Sequence, residues 1–225
     1  MKAMLLAAGR GERLRPITDA LPKPLVPVAG RALIEYHLER LARAGIGEVV
    51  INLSWLGGQI RAALGDGERF GLGIRYSEEG PVPLETGGGI AHALPLLGPE
   101  PFLVVNADVW TDLDFATLGA LPAGAEASIV LAPNPEHHPA GDFALRDGKV
   151  VEAPVDRFTY TGIGLYRPEF FAGGPSGRFP LLPLLRRAIA AGRLLGRVHR
   201  GEWFDVGSAE RLAWLDAHVR ARGAD

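Results

Sequence analysis

The stretch that constrains this chain most is residues 5–28, which reads LLAAGRGERLRPITDALPKPLVPV. It begins as a short apolar strand and is then broken by Gly9 and Gly11. Two glycines at this spacing allow a sharp turn that leaves backbone N–H groups free to face an anion. Arg13 follows, and Lys23 stands between two prolines that stiffen the backbone around it. Backbone donors, a guanidinium and an ammonium close together suit a triphosphate.

Two better-known phosphate loops do not fit this stretch. The P-loop pattern, a glycine, four further residues and then Gly-Lys-Ser/Thr, does not occur in the sequence. The dinucleotide fingerprint G-x-G-x-x-G fails because Leu14 stands where the third glycine belongs. An ordinary strand-to-helix turn would explain the two glycines alone. It explains less well why glycines, an arginine and a P-K-P motif occur together.

The whole pattern resembles the signature of the sugar-1-phosphate nucleotidyltransferase family, L-A-A-G-x-G-x-R-L-x-P followed by P-K-P. The resemblance runs through nearly the entire chain. It is closest to the N-acetylmuramate-1-phosphate uridylyltransferase branch of bacterial cell-wall recycling, on stretches such as LETGGGI and DVWTD. It implies an α/β fold, namely a Rossmann-like (GT-A-like) three-layer sandwich with a mixed, mainly parallel central sheet. It also implies one domain over residues 1–225, with a nucleotide-binding half of about 1–110 and a sugar-binding half of about 111–225.

The resemblance implies an enzyme that joins a sugar 1-phosphate to a nucleoside triphosphate and releases pyrophosphate. UTP and N-acetylmuramic acid 1-phosphate are the favoured substrates, and Mg²⁺ is the expected cofactor. A mannose-1-phosphate guanylyltransferase or another hexose-1-phosphate enzyme is the alternative, because these enzymes share the phosphate machinery. A non-catalytic nucleotide sensor is the third hypothesis, but such relatives should have lost a cation or an acid. The oligomeric state is not predicted.

The family motifs carry functional roles onto matching positions of this sequence. The expected catalytic residues are Arg13 and Lys23. The expected nucleotide-binding residues are Leu6, Ala8, Gly9, Gly11, Glu12, Arg13, Lys23, Thr86, Gly87 and Gly88. The expected sugar-binding residues are Asn106, Gly141, Glu152, Thr161 and Gly162, and the expected metal ligands are Asp108 and Asp205.

The two predicted metal ligands have reasons of their own. Asp108 comes just after a predicted buried strand, and ligands lie at the carboxyl ends of strands in doubly wound sheets. A hard cation such as Mg²⁺ prefers carboxylate oxygen, although an aspartate here could also merely cap the next turn. The family usually has glycine where Ala107 stands, and the extra methyl group does not remove the ligand. Ser208 is the expected N-cap of the last helix, which leaves Asp205 free of that role.

The periodicity of the remaining chain predicts helices and strands in alternation. Helices are predicted over residues 32–44, 90–97, 179–191 and 209–220. A buried strand is predicted over 48–53, parallel to the first strand through a right-handed crossover. A hairpin is predicted around Asp147-Gly148. The three glycines before residue 90 are poor helix material, so they are expected to allow close approach of something flat, with a flexible turn as the alternative.

Composition narrows the choice of partners. The net charge is −2 over 225 residues, so nothing indicates nucleic acid or a membrane surface as partner. The absence of cysteine excludes disulfides and thiolate metal sites. We expect a cytoplasmic protein, because no signal peptide and no long apolar run is seen. His137 and His138 lack a third metal ligand at a useful spacing. Arg146 and Arg157 are possible partners for the lactyl carboxylate of a muramate.

Overall fold

A computed structural model describes residues 1–223 of the chain. Its strands are β1 (Ala3–Leu6), β2 (Pro27–Val28), β3 (Arg31–Ala32), β4 (Glu48–Leu53), β5 (Gly73–Glu78), β6 (Phe102–Asn106), β7 (Val109–Thr111), β8 (Ala127–Ala132), β9 (Phe143–Arg146), β10 (Lys149–Val151), β11 (Arg157–Tyr166), β12 (Leu194–Val198) and β13 (Trp203–Asp205). Its α-helices are α1 (Ile17–Ala20), α2 (Leu33–Arg43), α3 (Gly57–Leu64), α4 (Glu85–Leu97), α5 (Leu182–Ala190) and α6 (Ala209–Ala221). Short 3₁₀ turns cover Glu12–Leu14, Lys23–Leu25, Glu68–Phe70, Phe115–Leu118 and Pro168–Phe171.

A nine-stranded sheet in the order β5-β4-β1-β6-β11-β8-β12-β10-β9 organises residues 1–223. The α/β class and the mixed sheet are confirmed, but the expected mainly parallel character is wrong. Parallel pairing joins β5, β4, β1 and β6, and separately β8 and β12. The other five pairings of this sheet are antiparallel. Two of them arise because β11 lies between β6 and β8 and runs against both. The strand β9 also pairs with β11, so the last five strands form a closed sheet.

Helices cover the sheet on both faces. Alternate residues of a strand point to opposite faces, and in β1 Leu5 packs into a core with α2 and α3, whereas Met4 packs into a second core with α4 and α5. A third, smaller cluster joins α2, β7 and α6. No helix within residues 1–223 combines the length and the apolar character needed to cross a bilayer.

Most of the predicted elements are confirmed, and two helix starts are wrong. The helix predicted to begin at residue 179 begins at Leu182. The strand over 48–53 and the hairpin are present, and Asp147 and Gly148 both have positive φ, 50° and 75°. Ser208 caps α6 by accepting a hydrogen bond from the backbone N–H of Arg211. The helix predicted to begin at residue 90 instead begins at Glu85 and includes the three glycines. Tertiary contacts stabilise those glycines in helical conformation despite their low intrinsic propensity, with segment 177–180 at Gly87 and Gly88 and with Asn52 and Glu79 at Gly89.

His37 is a buried polar residue on the apolar face of α2. Its side chain is 1% exposed, and Nε2 lies 2.7 Å from the carbonyl oxygen of Val109, to which it donates. Burial lowers the pKa of His37 to about 4, because the charged imidazolium would lose its hydration there. The histidine is therefore neutral at pH 7 and fixes α2 against the strand that follows Asp108.

The buried histidine predicts an acid-sensitive component of stability. Its ordinary pKa of 6.5 is lowered to about 4 in the folded chain, so its contribution is present above pH 6.5 and is lost as the pH falls toward 4. Between pH 7 and pH 4, the free energy of urea unfolding should fall by about 3 kcal/mol more in the wild-type protein than in His37→Gln. The exposed His92 provides the control, and His92→Gln should keep the wild-type pH dependence. Equal pH dependence in wild type and His37→Gln would contradict the assignment.

Candidate active site

A cavity of about 690 Å³ lies at the carboxyl ends of β1, β4 and β6. It collects most of the residues that the sequence motifs predict for nucleotide binding. Those that line it are Leu6, Ala8, Gly9, Gly11, Glu12, Arg13, Lys23 and Thr86, together with Asn106 and Asp108. Gly87 and Gly88 do not line the cavity. The opening stretch of the chain and the end of β6 therefore meet in one cleft.

The loop after β1 presents its backbone N–H groups to this cavity. Gly11 adopts φ +65°, and a methyl group there would lie 2.8 Å from the side-chain methyl of Thr18. Thr18 also donates through its hydroxyl to the carbonyl of Gly11 at 2.8 Å, so the turn is fixed from behind. The backbone N–H groups of Gly9, Arg10 and Gly11 have no acceptor within residues 1–223. They remain available to an anion in the cavity.

Lys23 is held in the cavity wall by a carboxylate. The residue is only 8% exposed, and its Nζ lies 2.5 Å from Oδ2 of Asp108. Pro22 begins the 3₁₀ turn with an extended backbone that directs Lys23 inward. The two residues belong to loops after neighbouring parallel strands. An ammonium this buried needs a charged partner, because desolvation otherwise disfavours it strongly.

The cavity wall contains a polar network that the motifs did not indicate. Asn52, at the end of β4 and 3% exposed, accepts a hydrogen bond from the N–H of Ala7 at 2.7 Å. Its amide donates to Glu79 at 2.6 Å, and Glu79 accepts from the N–H of Leu84 at 2.7 Å. The network thus ties β1, β4 and the start of α4 together. The one sequence signal for it is an asparagine in the otherwise apolar strand EVVINL.

The backbone of Asp205 lies on the strand that pairs beside Asp108, but Asp205 does not line the cavity. Strand β13 pairs antiparallel with β7, so Asp205 lies opposite Val109, and the N–H of Val206 donates to the carbonyl of Asp108 at 3.0 Å. Both carboxylate oxygens of Asp205 accept from Nη1 of Arg211 at 2.9 Å.

His137, from the loop between β8 and β9, also contacts Asp205. Its Nε2 lies 2.9 Å from Oδ1 of the carboxylate and contacts Nη1 of Arg211 as well. Within residues 1–223, no cluster of three or more His, Cys, Asp and Glu side chains is arranged to hold a metal ion. Two carboxylates fit Mg²⁺ nonetheless, because Mg²⁺ is usually held by one or two carboxylates together with substrate phosphates.

The glycines of α4 are explained by packing against the chain itself. A methyl group at Gly87 would lie 2.5 Å from the ring of Phe179, and one at Gly88 would lie 2.2 Å from the carbonyl oxygen of Gly177. One at Gly89 would lie 2.4 Å from the carboxylate of Glu79. The N–H of Gly88 donates to the carbonyl of Phe179 at 3.0 Å. Contact of Gly87 and Gly88 with a base remains a prediction, while Thr86 reaches the cavity.

A second cavity of about 740 Å³ adjoins the first, and Thr86 and Asn106 line both. Of the predicted sugar-binding residues, Asn106 and Glu152 line it, whereas Gly141, Thr161 and Gly162 do not. Glu152 is paired with Arg186 at 2.7 Å. Contact of the three residues outside the cavity with a sugar remains a prediction.

Gly162 and its neighbour Thr161 lie in a bulge of β11 beside Asn106. The register of β11 against β8 shifts between Tyr160 and Gly164, and Gly162 has φ +77°. A methyl group at Gly162 would lie 2.4 Å from the amide nitrogen of Asn106. The hydroxyl of Thr161 donates to the carbonyl of Val130 at 2.8 Å, so it is already engaged. The glycine therefore makes room for the asparagine that lies between the two cavities.

Arg157 lines the second cavity, and Arg146 does not. The guanidinium of Arg157 donates twice to the carbonyl of Asp142, through Nε at 3.0 Å and Nη2 at 2.7 Å. A methyl group at Gly141 would lie 3.0 Å from the backbone of Arg157, so glycine is needed to bring these segments together. Tyr160 also lines this cavity, and burial raises its pKa to about 12, which keeps its hydroxyl protonated.

The two adjoining cavities, one of them lined by cationic side chains and by free backbone N–H groups, provide the site that nucleotidyl transfer requires. The chain belongs to the nucleotidyl transferase family, whose model matches residues 2–143. It is a sugar-1-phosphate nucleotidyltransferase, as its opening motif predicts.

Comparison with individual proteins gives the same class and the same fold. The chain is 52% identical over 220 residues to the N-acetylmuramate alpha-1-phosphate uridylyltransferase of Neisseria meningitidis, covering 94% of this chain and 95% of that protein. It is 40% identical to the protein of the same name from Caulobacter vibrioides, over 96% of each. A Bacillus anthracis structure described as a glucose-1-phosphate thymidylyltransferase matches with a TM-score of 0.86 at 23% identity, over all of this chain and 96% of that one. At that identity the structural match establishes the fold alone.

The packing of α4 predicts that Gly88 cannot carry a side chain. Gly88→Ala would press a methyl group against the backbone of segment 177–180, and overpacking of this kind costs about 1–3 kcal/mol. Gly58→Ala is the matched control, because a methyl group there meets nothing within 4 Å on the helix α3. We expect Gly88→Ala to lower the free energy of unfolding without ligand, whereas Gly58→Ala leaves it equal or higher. Equal stability of the two variants would refute the packing explanation.

Proposed function

We propose that this chain transfers a uridylyl group from UTP to N-acetylmuramic acid 1-phosphate, giving UDP-N-acetylmuramic acid and pyrophosphate. The observation that carries the proposal is the pair of cavities that share Thr86 and Asn106. The extensive identity to two uridylyltransferases of this kind supports the choice of substrates. The first cavity draws mainly on residues before 110 and the second mainly on later ones, in keeping with a nucleotide half and a sugar half.

The reaction needs positioning and positive charge more than proton transfer. An oxygen of the sugar phosphate forms a bond to the α-phosphorus, and the bond from that phosphorus to its β-bridging oxygen breaks. Pyrophosphate leaves with the bonding electron pair. Because the attacking phosphate is already anionic, no general base is required, and repulsion between two anions is the main obstacle.

The cations of the first cavity have distinct roles in this proposal. Arg13, which has no carboxylate partner within residues 1–223, holds the departing β- and γ-phosphates together with the loop N–H groups. Lys23 uses one of its three N–H bonds on Asp108 and retains others for the α-phosphate and the incoming phosphate. Asn106, which lines both cavities, donates to the sugar phosphate.

Asp108 and Asp205 are the residues that we propose for Mg²⁺. When bound, Mg²⁺ would neutralise charge on the reacting phosphates. Asp108 already faces the cavity. Asp205 would have to exchange its contacts with Arg211 and His137.

An N-acetylmuramate differs from other hexosamine derivatives by its lactyl carboxylate. In this proposal Arg157 binds that carboxylate, because the guanidinium is fixed by the carbonyl of Asp142 and has no carboxylate partner within residues 1–223. The other arginine of the second cavity, Arg186, is already paired with Glu152. A planar guanidinium held in this way is preorganised for a carboxylate.

A matrix of nucleotides against sugar phosphates tests the substrates. UTP, GTP and dTTP are each combined with the 1-phosphates of N-acetylmuramic acid, N-acetylglucosamine, glucose and mannose in the presence of Mg²⁺, and released pyrophosphate is measured. We expect the highest kcat/KM for UTP with N-acetylmuramic acid 1-phosphate. A preference for GTP with mannose 1-phosphate would support the guanylyltransferase alternative instead. No pyrophosphate from any pair would support a nucleotide sensor.

The role of Arg157 predicts a loss that is specific to the carboxylate. Arg157→Gln should raise the KM for N-acetylmuramic acid 1-phosphate by about 10- to 100-fold, the range of one hydrogen bond to a charged group. The KM for N-acetylglucosamine 1-phosphate, which lacks the lactyl group, should change little. Arg146→Gln is the control, because Arg146 is exposed and lies outside the cavity. An equal loss with both sugars would refute carboxylate recognition by Arg157.

A further inference from the structure

Arg10 is a cation of the first cavity that the family motif leaves unspecified. It stands between Gly9 and Gly11, and it lines the cavity with Arg13. Two other cations there have carboxylate partners, since Lys23 pairs with Asp108 and Arg178 with Glu85. Within residues 1–223, Arg10 makes neither an ion pair nor a hydrogen bond through its side chain. Its positive charge is therefore available to an anion in the cavity.

Trp55 holds the guanidinium of Arg10 in place. The central carbon of the guanidinium lies 4.4 Å from the centroid of the indole ring, a cation–π contact. This contact uses none of the guanidinium N–H groups, which have no acceptor within residues 1–223. Those N–H groups form the planar fork that matches phosphate oxygens.

Trp55 is itself attached to the loop that carries Arg10. Its indole N–H donates to the carbonyl of Thr18 at 3.1 Å, and the hydroxyl of Thr18 donates to the carbonyl of Gly11 at 2.8 Å. The contacts therefore run from Arg10 to Trp55, to Thr18 and back to Gly11. A side chain held by such a closed set of contacts loses less rotamer freedom when a ligand arrives.

We propose that Arg10 binds the β- and γ-phosphates of the nucleotide and the pyrophosphate product, and that Trp55 is its positioning residue. The inference rests on the nucleotidyl transfer proposed for this cavity. Phosphate is the recognised group because Arg10 shares its loop with Arg13 and with the free N–H groups of Gly9 and Gly11.

The test measures binding of inorganic pyrophosphate with Mg²⁺ by calorimetry, together with KM and kcat for the nucleotide that gives turnover. Arg10→Ala should weaken pyrophosphate binding and raise the nucleotide KM, each on the order of tenfold, as expected for one charged hydrogen-bonding group. Arg10→Lys should recover part of the affinity. Arg15→Ala is the control, because Arg15 is exposed, pairs with Asp19 and lies outside the cavity.

Two variants of Trp55 separate positioning from folding. Trp55→Phe keeps an aromatic ring under Arg10 and should retain most of the pyrophosphate affinity. Trp55→Leu should weaken pyrophosphate binding about as much as Arg10→Ala, and the double variant should be no worse than either single one. Thermal unfolding without ligand shows whether a Trp55 variant has lost its fold. If it has, the proposal is tested by Arg10→Ala alone.

Pyrophosphate affinity in Arg10→Ala within twofold of wild type would overturn the proposal. The measurement does not depend on the base or the sugar, because every enzyme of this class releases pyrophosphate. A failure of the UTP or muramate assignment would therefore appear in the substrate matrix and leave this result unchanged. Wild-type protein that binds no pyrophosphate would overturn both the role of Arg10 and the nucleotidyl transfer proposed for the cavity.

Discussion

The ion pair between Lys23 and Asp108 is the contact on which the geometry of the first cavity depends. It joins the loop after β1 to the loop after β6, two segments separated by 85 residues, with 2.5 Å between Nζ and Oδ2. Both loops follow neighbouring parallel strands, so the pairing of the strands alone places the two charges at the same edge of the sheet. Burial makes the charge of Lys23 costly without a partner, whereas the carboxylate of Asp108 is partly exposed. The pair therefore fixes the distance between the phosphate loop and the predicted metal ligand.

Asn106 connects the two cavities because β11 is irregular beside it. The residue of β11 beside Asn106 is Gly162. A side chain at that position would lie 2.4 Å from the amide nitrogen of Asn106, so the asparagine could not lie where it does. The bulge and the positive φ of Gly162 remove that obstacle. Bulges are over-represented next to active sites because they redirect side chains without breaking the sheet. The junction between the two cavities thus depends on an antiparallel strand, which a mainly parallel sheet would not supply.

The sequence predicted what local patterns and a dense motif can carry. Strand β4, the Asp147-Gly148 hairpin, the Ser208 cap and the group of residues around Arg13 and Lys23 all have signals within a few positions of themselves. The antiparallel insertion of β11 has no such signal, because strand pairing depends on distant partners. The start of α4 has no local signal for the same reason, since the residues that pack against its glycines lie elsewhere in the chain, in segment 177–180 for Gly87 and Gly88 and at Asn52 and Glu79 for Gly89. Strands β7 and β13, with three residues each, are too short for periodicity to detect.

A nearly neutral chain can hold a polyanion because of how its charges are paired. The first cavity is lined by four cations, Arg10, Arg13, Lys23 and Arg178, and by four carboxylates, Glu12, Glu79, Glu85 and Asp108. Two cations and two carboxylates neutralise each other, and Glu79 is occupied by Asn52 and by the N–H of Leu84. What remains around Gly9 and Gly11 is two guanidinium groups, the carboxylate of Glu12 and free backbone N–H groups. Attraction for a triphosphate therefore arises from the local arrangement of charge, which the overall net charge of −2 does not reveal.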